Sequence, residues 1–281
     1  MNLIGCAFMP HPPIMVPEVG GEELAKIQAT VTAAEKVTAV LKEHNPQTVI
    51  VLTPHGPVFE DAACISIHPR LRGSLAGFGA PDVSLGFETD GLLARHISKK
   101  CERLGVQLVQ MTDEMAKSYR ISLNLDHGAT VPLYYLHKAG FRGQLIHLSM
   151  GLMPYEEMYT FGKAVQAAVA MTDKRVAVIA SGDLSHRLTP DAPAGFSPQG
   201  AEFDRQVVAA LKNADVKALL SLDEQLIAEA GECGLRPAFF LMGVMDGLDV
   251  AADVLSYEGP FGVGYAIAQF LVNGRKGECT A

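Results

Sequence analysis

Short, nearly continuous apolar runs separated by longer amphipathic stretches are the feature that most restricts the fold of this chain. The apolar runs occupy residues 3–9, 48–53, 62–68, 106–111, 144–150, 175–181 and 264–272. Amphipathic stretches of helical period lie between them, at residues 21–43, 90–104, 155–171 and 201–213. Continuous apolar strands are typical of sheets that are covered on both faces. The alternation therefore predicts an α/β fold with a central mixed, largely parallel sheet and helices on both faces.

We expect residues 1–281 to form a single domain. The length of 281 residues allows one large α/β domain or two small ones. No linker rich in serine, glycine and proline divides the chain, and no internal repeat is visible. Residues 69–87, which are rich in glycine and proline, are predicted to form a long surface excursion or a hairpin.

Charge and cysteine content exclude several classes of function. The net charge of −8 and the lack of a Lys/Arg cluster disfavour nucleic acid as a partner. No apolar stretch approaches the ~18 residues that a membrane span needs, so we expect no membrane association. Five cysteines, an odd number with no CxxC pair, indicate a reducing compartment and hence the cytoplasm.

Three histidines follow predicted strands. His11 and His55 each lie among prolines directly after a strand, and His186 comes shortly after a later one. Prolines stiffen the backbone, and ligands of open α/β sheets bind beyond the carboxyl ends of the strands. A lone histidine in such a place is usually a cap or a surface residue. The repetition of the pattern favours a metal site or an acid–base site instead.

Two neutral imidazoles and one carboxylate on one face of a metal form a facial triad. This arrangement suits non-haem Fe(II) and leaves three coordination positions open. Spacing alone does not choose the carboxylate. The candidates are Glu18, Glu60, Asp61, Asp113, Asp183 and Glu232.

Four motifs together resemble the class III extradiol ring-cleavage dioxygenases, and more closely the superfamily of the protocatechuate 4,5-dioxygenase beta subunit. They are "PHPP" at 10–13, "TPHGP" at 53–57, "LDHGATVPLYYL" at 125–136 and "SGDLSHRL" at 181–188. The match runs in order from residue 5 to about residue 270. The resemblance implies cleavage of a catecholic or 2-aminophenolic ring with O₂. It also implies assembly as dimers or with a small partner subunit, and we expect a homo-oligomer.

The resemblance also implies roles for individual residues. His11 and His55 are expected to ligate Fe(II), although zinc or copper can occupy similar donors. His186 is expected to act as the acid–base residue beside the metal. His127 matches a family position that contacts the substrate or oxygen.

The third ligand is expected within residues 229–243, where the family has a glutamate, and Glu232 is our choice. Glu229 lies a turn earlier and is a weaker candidate. Cys233 follows directly, and its surroundings also resemble the Memo-type branch, in which a cysteine takes this place. A cysteine ligand favours a second interpretation, a non-catalytic metal-binding or protein-interaction module. A hydrolase that activates water at the same metal is a third interpretation.

Overall fold

The computed structural model describes residues 2–275, and an eight-stranded mixed sheet forms their central layer. The strands of the chain are β1 (Leu3–Met9), β2 (Thr48–Thr53), β3 (Ala63–Ser66), β4 (Arg70–Leu75), β5 (Ala80–Glu88), β6 (Leu108–Met111), β7 (Gln144–Ser149), β8 (Val176–Ser181), β9 (Leu248–Glu258) and β10 (Tyr265–Arg275). The order in the main sheet is β6-β3-β7-β2-β8-β1-β10-β9. Strands β4 and β5 pair with each other as a separate antiparallel hairpin.

Four parallel strands occupy the middle of the sheet. Strand β2 pairs in parallel with β7 on one side and with β8 on the other, and β8 pairs in parallel with β1. The carboxyl ends of these four strands therefore lie along one edge of the sheet, which we call the carboxyl-end edge. The segments that carry His11, His55 and His186 all begin there.

Helices cover both faces of this sheet. The α-helices are α1 (Pro17–Gly20), α2 (Gln28–Glu43), α3 (Gly91–Leu104), α4 (Asp113–Tyr119), α5 (His127–Lys138), α6 (Tyr155–Val169), α7 (Pro198–Lys212), α8 (Val216–Leu220), α9 (Glu224–Ala230) and α10 (Leu235–Val244). Alternate residues of β2 belong to two separate apolar clusters, with Ile50 and Leu52 in one and Val49 and Val51 in the other. Helices α3, α6, α7 and α10 contribute to the first cluster, and α2 and α5 to the second. The predicted α/β fold, with a mostly parallel mixed sheet and helices, is confirmed.

The segment predicted as a surface excursion or a hairpin is the β4–β5 hairpin. Its turn is a short 3-10 helix, Ala76–Phe78, followed by Gly79 with a φ of +85°. Side chains of β4 alternate between exposed and buried, and the buried set, which includes Leu71 and Leu75, joins the cluster formed with α2 and α5. No helix within residues 2–275 is long and apolar enough to cross a membrane.

Candidate metal centre

His11 is held at the end of β1 by the loop that follows β8. Its backbone N–H donates to Asp183 Oδ1 at 2.9 Å, and its Nδ1 lies 2.9 Å from Ser181 Oγ. The residue is only 2% exposed. Because Nδ1 has a hydroxyl partner, Nε2 is the ring nitrogen that remains to act as a ligand.

His55 leaves the end of β2, two strands away from β1, and meets His11 at the carboxyl-end edge. The Nε2 atoms of the two rings lie 2.9 Å apart. Two imidazole nitrogens bound to one metal at ~2.1 Å each lie about this far apart when the two bonds are near a right angle. His55 is exposed, so this pair of nitrogens faces solvent on one side.

His127 is the first residue of α5 and lies against both of these rings. Its ring stacks on that of His55 with the centroids 4.5 Å apart, and its centroid is 5.4 Å from that of His11. The Asp126 side chain caps the helix by accepting from the Ala129 N–H. A side chain at Gly128 would collide with that of Thr53, so glycine lets the first turn of α5 pack against the end of β2.

Cys233 completes a group of possible ligands with the two histidines. Its Sγ lies 3.8 Å from His11 Nε2 and 3.8 Å from His186 Nε2. Its backbone N–H donates to the Asp183 carbonyl at 3.3 Å. The adjoining Gly234 has no room for a side chain against that same carbonyl, so the loop before α10 approaches the loop after β8 closely.

Among the residues that the structure describes, the donor atoms of His11, His55 and Cys233 lie within 4.8 Å of one another. Asp183 Oδ2 is 3.8 Å from His11 Nε2 as well. The Glu232 carboxylate instead accepts from the Leu235 N–H at 2.6 Å, at the start of α10. The structure thus brings His11, His55, His127, His186 and Cys233 together. The role of Glu232 as a ligand stays a prediction.

Burial dominates the electrostatics of this centre. It lowers the pKa of His11, His127 and His186, which favours neutral imidazoles with a free lone pair. Burial also raises the pKa of Asp183 to about 6, against the opposing effect of the hydrogen bond from the His11 N–H. The pKa of the Cys233 thiol is raised well above its usual value, by burial first and then by the charge of Asp183. A thiolate here therefore needs a cation beside it.

Asp126 is a supporting residue that sequence reasoning missed. Its Oδ1 accepts from the Thr53 hydroxyl at 2.6 Å, and its Oδ2 lies 3.3 Å from Nε2 of the buried His147. The Nδ1 of His147 lies 3.0 Å from Ser66 Oγ. An aspartate directly before a helix is a common N-cap. The position of Asp126 in "LDHG" was therefore the sequence feature that could have identified it.

Known proteins are similar to this chain in sequence and in fold. A Clostridium acetobutylicum protein that carries only a locus name is 37% identical over 95% of this chain, which spans 57% of the length of that relative. The 3,4-dihydroxyphenylacetate 2,3-dioxygenase of Escherichia coli is 27% identical over 72% of this chain and 73% of its own length. An uncharacterised Escherichia coli K12 protein of known crystal structure has the same fold, with a TM-score of 0.63 at 17% identity. That structural match covers 95% of this chain and 99% of the other.

One protein family matches nearly the whole chain. The family is described as the catalytic LigB subunit of aromatic ring-opening dioxygenase, and it matches residues 5–268. The predicted resemblance to class III extradiol dioxygenases is therefore confirmed. This chain belongs to the family of the catalytic LigB subunit of aromatic ring-opening dioxygenases.

Proposed function

We propose that this protein is a metal-dependent extradiol-type dioxygenase that opens a catecholic or 2-aminophenolic ring with O₂. The observation that carries the proposal is the 2.9 Å approach of His11 Nε2 and His55 Nε2, with His127 and His186 beside them. Membership of a family of ring-opening dioxygenases supports the reaction type. A relative that acts on a dihydroxyphenylacetate supports a catecholic substrate.

The donors suit a divalent metal, and we propose Fe(II). His11 and His55 provide two neutral nitrogens, and we propose Cys233 as the third ligand because its sulfur faces them. Glu232, the carboxylate that would complete the triad suited to Fe(II), is the alternative. Imidazole and thiolate also bind zinc and copper, so these metals compete for the site. Bound Fe(II) supplies a template that sets the substrate beside O₂ and carries electron density between them.

The histidines around the ligands handle the protons. His186 lies on the Cys233 side of the centre, where its Nε2 can accept the proton of a substrate hydroxyl and return it to the opened product. His127 lies on the His55 side and is placed to hydrogen-bond a substrate oxygen or O₂. The two residues thus flank the substrate from opposite sides and fix its orientation.

Oxygen uptake tests this proposal directly. Protein reconstituted anaerobically with Fe(II) is mixed with a panel of catechols and 2-aminophenols, which includes 3,4-dihydroxyphenylacetate. We expect uptake with a yellow ring-opened product. His186→Ala should lower the rate by about 100-fold or more while iron stays bound, since general acid–base catalysis contributes that much.

His44→Ala is the matched control, because His44 is an exposed histidine at the end of α2. It should retain the wild-type rate. Stoichiometric iron with no uptake from any substrate in the panel would overturn the proposal. It would favour a non-catalytic metal-binding module, the function that Cys233 in the ligand group supports.

We propose further that the protein acts in the cytoplasm as a homo-oligomer. Cys6, Cys64, Cys101 and Cys233 are free thiols, and the first three are buried. Free thiols are typical of proteins from reducing compartments.

A further inference from the structure

Several exposed apolar side chains lie on segments that leave strands of the sheet or form the β4–β5 hairpin. Val58 follows β2, Leu152 follows β7 and Phe196 follows β8, so all three lie on segments that start at the carboxyl-end edge. Phe78, at the tip of the β4–β5 hairpin, is a fourth and is 45% exposed. Binding sites for small molecules are lined mainly by apolar and aromatic side chains.

Phe78 is the member of this set with a direct contact to a site histidine. Its ring centroid lies 5.4 Å from that of His127, on which the His55 ring in turn stacks at 4.5 Å. The hairpin is fixed to the segment that leads into His127, because the Leu125 N–H donates to the Arg72 carbonyl at 2.7 Å. The hairpin therefore holds the Phe78 ring next to the His127 ring, close to the candidate metal centre.

Two carboxylates lie close to the histidines of the centre. They belong to Asp183 and Asp126. Arg187 directly follows His186, and its Nη1 lies 3.7 Å from the Glu229 carboxylate. The Asp183 and Asp126 carboxylates disfavour a negatively charged substituent placed beside them, whereas they do not oppose an apolar one.

We propose that Phe78 is a specificity-determining residue, whose ring forms an apolar subsite for a hydrophobic substituent on the bound substrate ring. This inference rests on the proposed function, since it assumes that a catecholic ring occupies the centre. It places the ring oxygens at the metal ligands and the substituent against the exposed part of Phe78. Burial of apolar surface on both partners is then the source of the preference.

Ligand displacement measures this preference without turnover. Protein loaded with Fe(II) under anaerobic conditions binds 4-nitrocatechol, whose absorption changes when its hydroxyls are bound. Competing 4-tert-butylcatechol and 3,4-dihydroxybenzoate then report the preference for an apolar over an anionic substituent. We expect wild-type protein to prefer 4-tert-butylcatechol and Phe78→Ala to reduce that preference by about tenfold. Phe78→Tyr, which keeps the ring, should restore most of it.

Leu92→Ala is the control for loss of an exposed apolar side chain. Leu92 is exposed in the first turn of α3, next to the capping residue Asp90, which bonds to the amino end of β2 on the opposite edge of the sheet. It should keep the wild-type preference. If wild-type protein fails to bind 4-nitrocatechol, the proposed function fails and this inference with it. If wild-type protein binds it and Phe78→Ala shows an unchanged preference, the inference alone is overturned.

Discussion

Glu232 and Cys233 are neighbours in the chain, but their side chains have different partners. The Glu232 carboxylate accepts from the Leu235 N–H, whereas Cys233 Sγ faces His11 and His186. We therefore expect Cys233→Ala to weaken metal binding by more than about 100-fold, because losing a ligand costs more than losing a supporting contact. Competition with a chromogenic chelator under anaerobic conditions, for Fe(II) and Zn(II) separately, gives the dissociation constants.

Glu232→Gln is the comparison for this variant, since glutamine keeps an oxygen that can accept from Leu235. Its metal affinity should stay close to that of the wild-type protein. The reverse result, a large loss in Glu232→Gln and none in Cys233→Ala, would restore the carboxylate triad and reject the cysteine ligand.

The sequence could predict that the histidines of this centre lie together, but it could not choose between Glu232 and Cys233 as the third ligand. His11 and His55 follow apolar strands, and parallel strands bring their carboxyl ends to one edge whatever the details of the loops. Residues 232 and 233 lie in a loop instead, where the direction of each side chain depends on local backbone turns. Gly231 has a φ of +62°, and Gly234 packs against the Asp183 carbonyl. The contacts between Asp183 and Cys233 join segments about 50 residues apart, so no local sequence pattern predicts them.

At the scale of elements, the first turn of α5 carries both a helix cap, Asp126, and a residue of the candidate site, His127. Asp126 caps the helix through the Ala129 N–H and also bonds to Thr53 and faces the buried His147. We expect Asp126→Ala to lower the free energy of unfolding by about 3 kcal/mol, because it removes a cap and leaves buried polar partners unsatisfied. Urea denaturation followed by circular dichroism measures the loss.

Asp223, the exposed cap of α9, separates the two contributions. Its side chain accepts from the Gln225 and Leu226 N–H groups. Asp223→Ala should cost only about 1 kcal/mol, the usual value of a cap. Equal losses in the two variants would show that the contacts of Asp126 with Thr53 and His147 contribute nothing beyond the cap.

The sequence does not predict helix α10 or strand β9, because neither has the amphipathic helical period or the continuous apolar run that identifies the other elements. Helix α10 is apolar on almost every side and almost wholly buried, so it lacks the amphipathic period that revealed α2 and α3. Strand β9 alternates between exposed and half-buried side chains, since it lies at the edge of the sheet next to β10. The continuous apolar strands β1 and β2, in contrast, end where the sequence predicts.

At the scale of the whole molecule, the two edges of the sheet carry different polar groups. The carboxyl-end edge holds the histidines, whereas the opposite edge is tied together by Asp90 at the N-cap of α3. Asp90 Oδ2 accepts from the Thr48 hydroxyl of β2 and from Lys174 Nζ, each at 2.7 Å. Lys174 also donates to Gln144 of β7 at 2.6 Å. The buried Asp90 carboxylate thus links α3 directly to β2, and through Lys174 to β7 and to the segment before β8. These contacts lie at the edge of the sheet opposite the candidate metal centre.

This separation predicts a pH-dependent contribution to stability that arises away from the candidate metal centre. Burial of Asp90 opposes its ionisation, but hydrogen bonds from Lys174, Thr48 and the Leu93 N–H outweigh it and lower its pKa below the ordinary value. Ionised Asp90 therefore stabilises the fold above the pKa it has when unfolded, and this stabilisation is lost as the pH falls through its folded pKa.

We expect Asp90→Asn to lower the free energy of unfolding at pH 7 by about 2 kcal/mol. The difference from wild-type protein should shrink only as the pH falls below the ordinary aspartate pKa of about 3.9. Urea denaturation at several pH values measures both. Glu23→Gln, which removes an exposed ion pair with Lys26, should change stability little at any pH. A pH-independent difference for Asp90→Asn would show that its cost comes from packing, because only the loss of a charged interaction fades when the carboxylate is protonated.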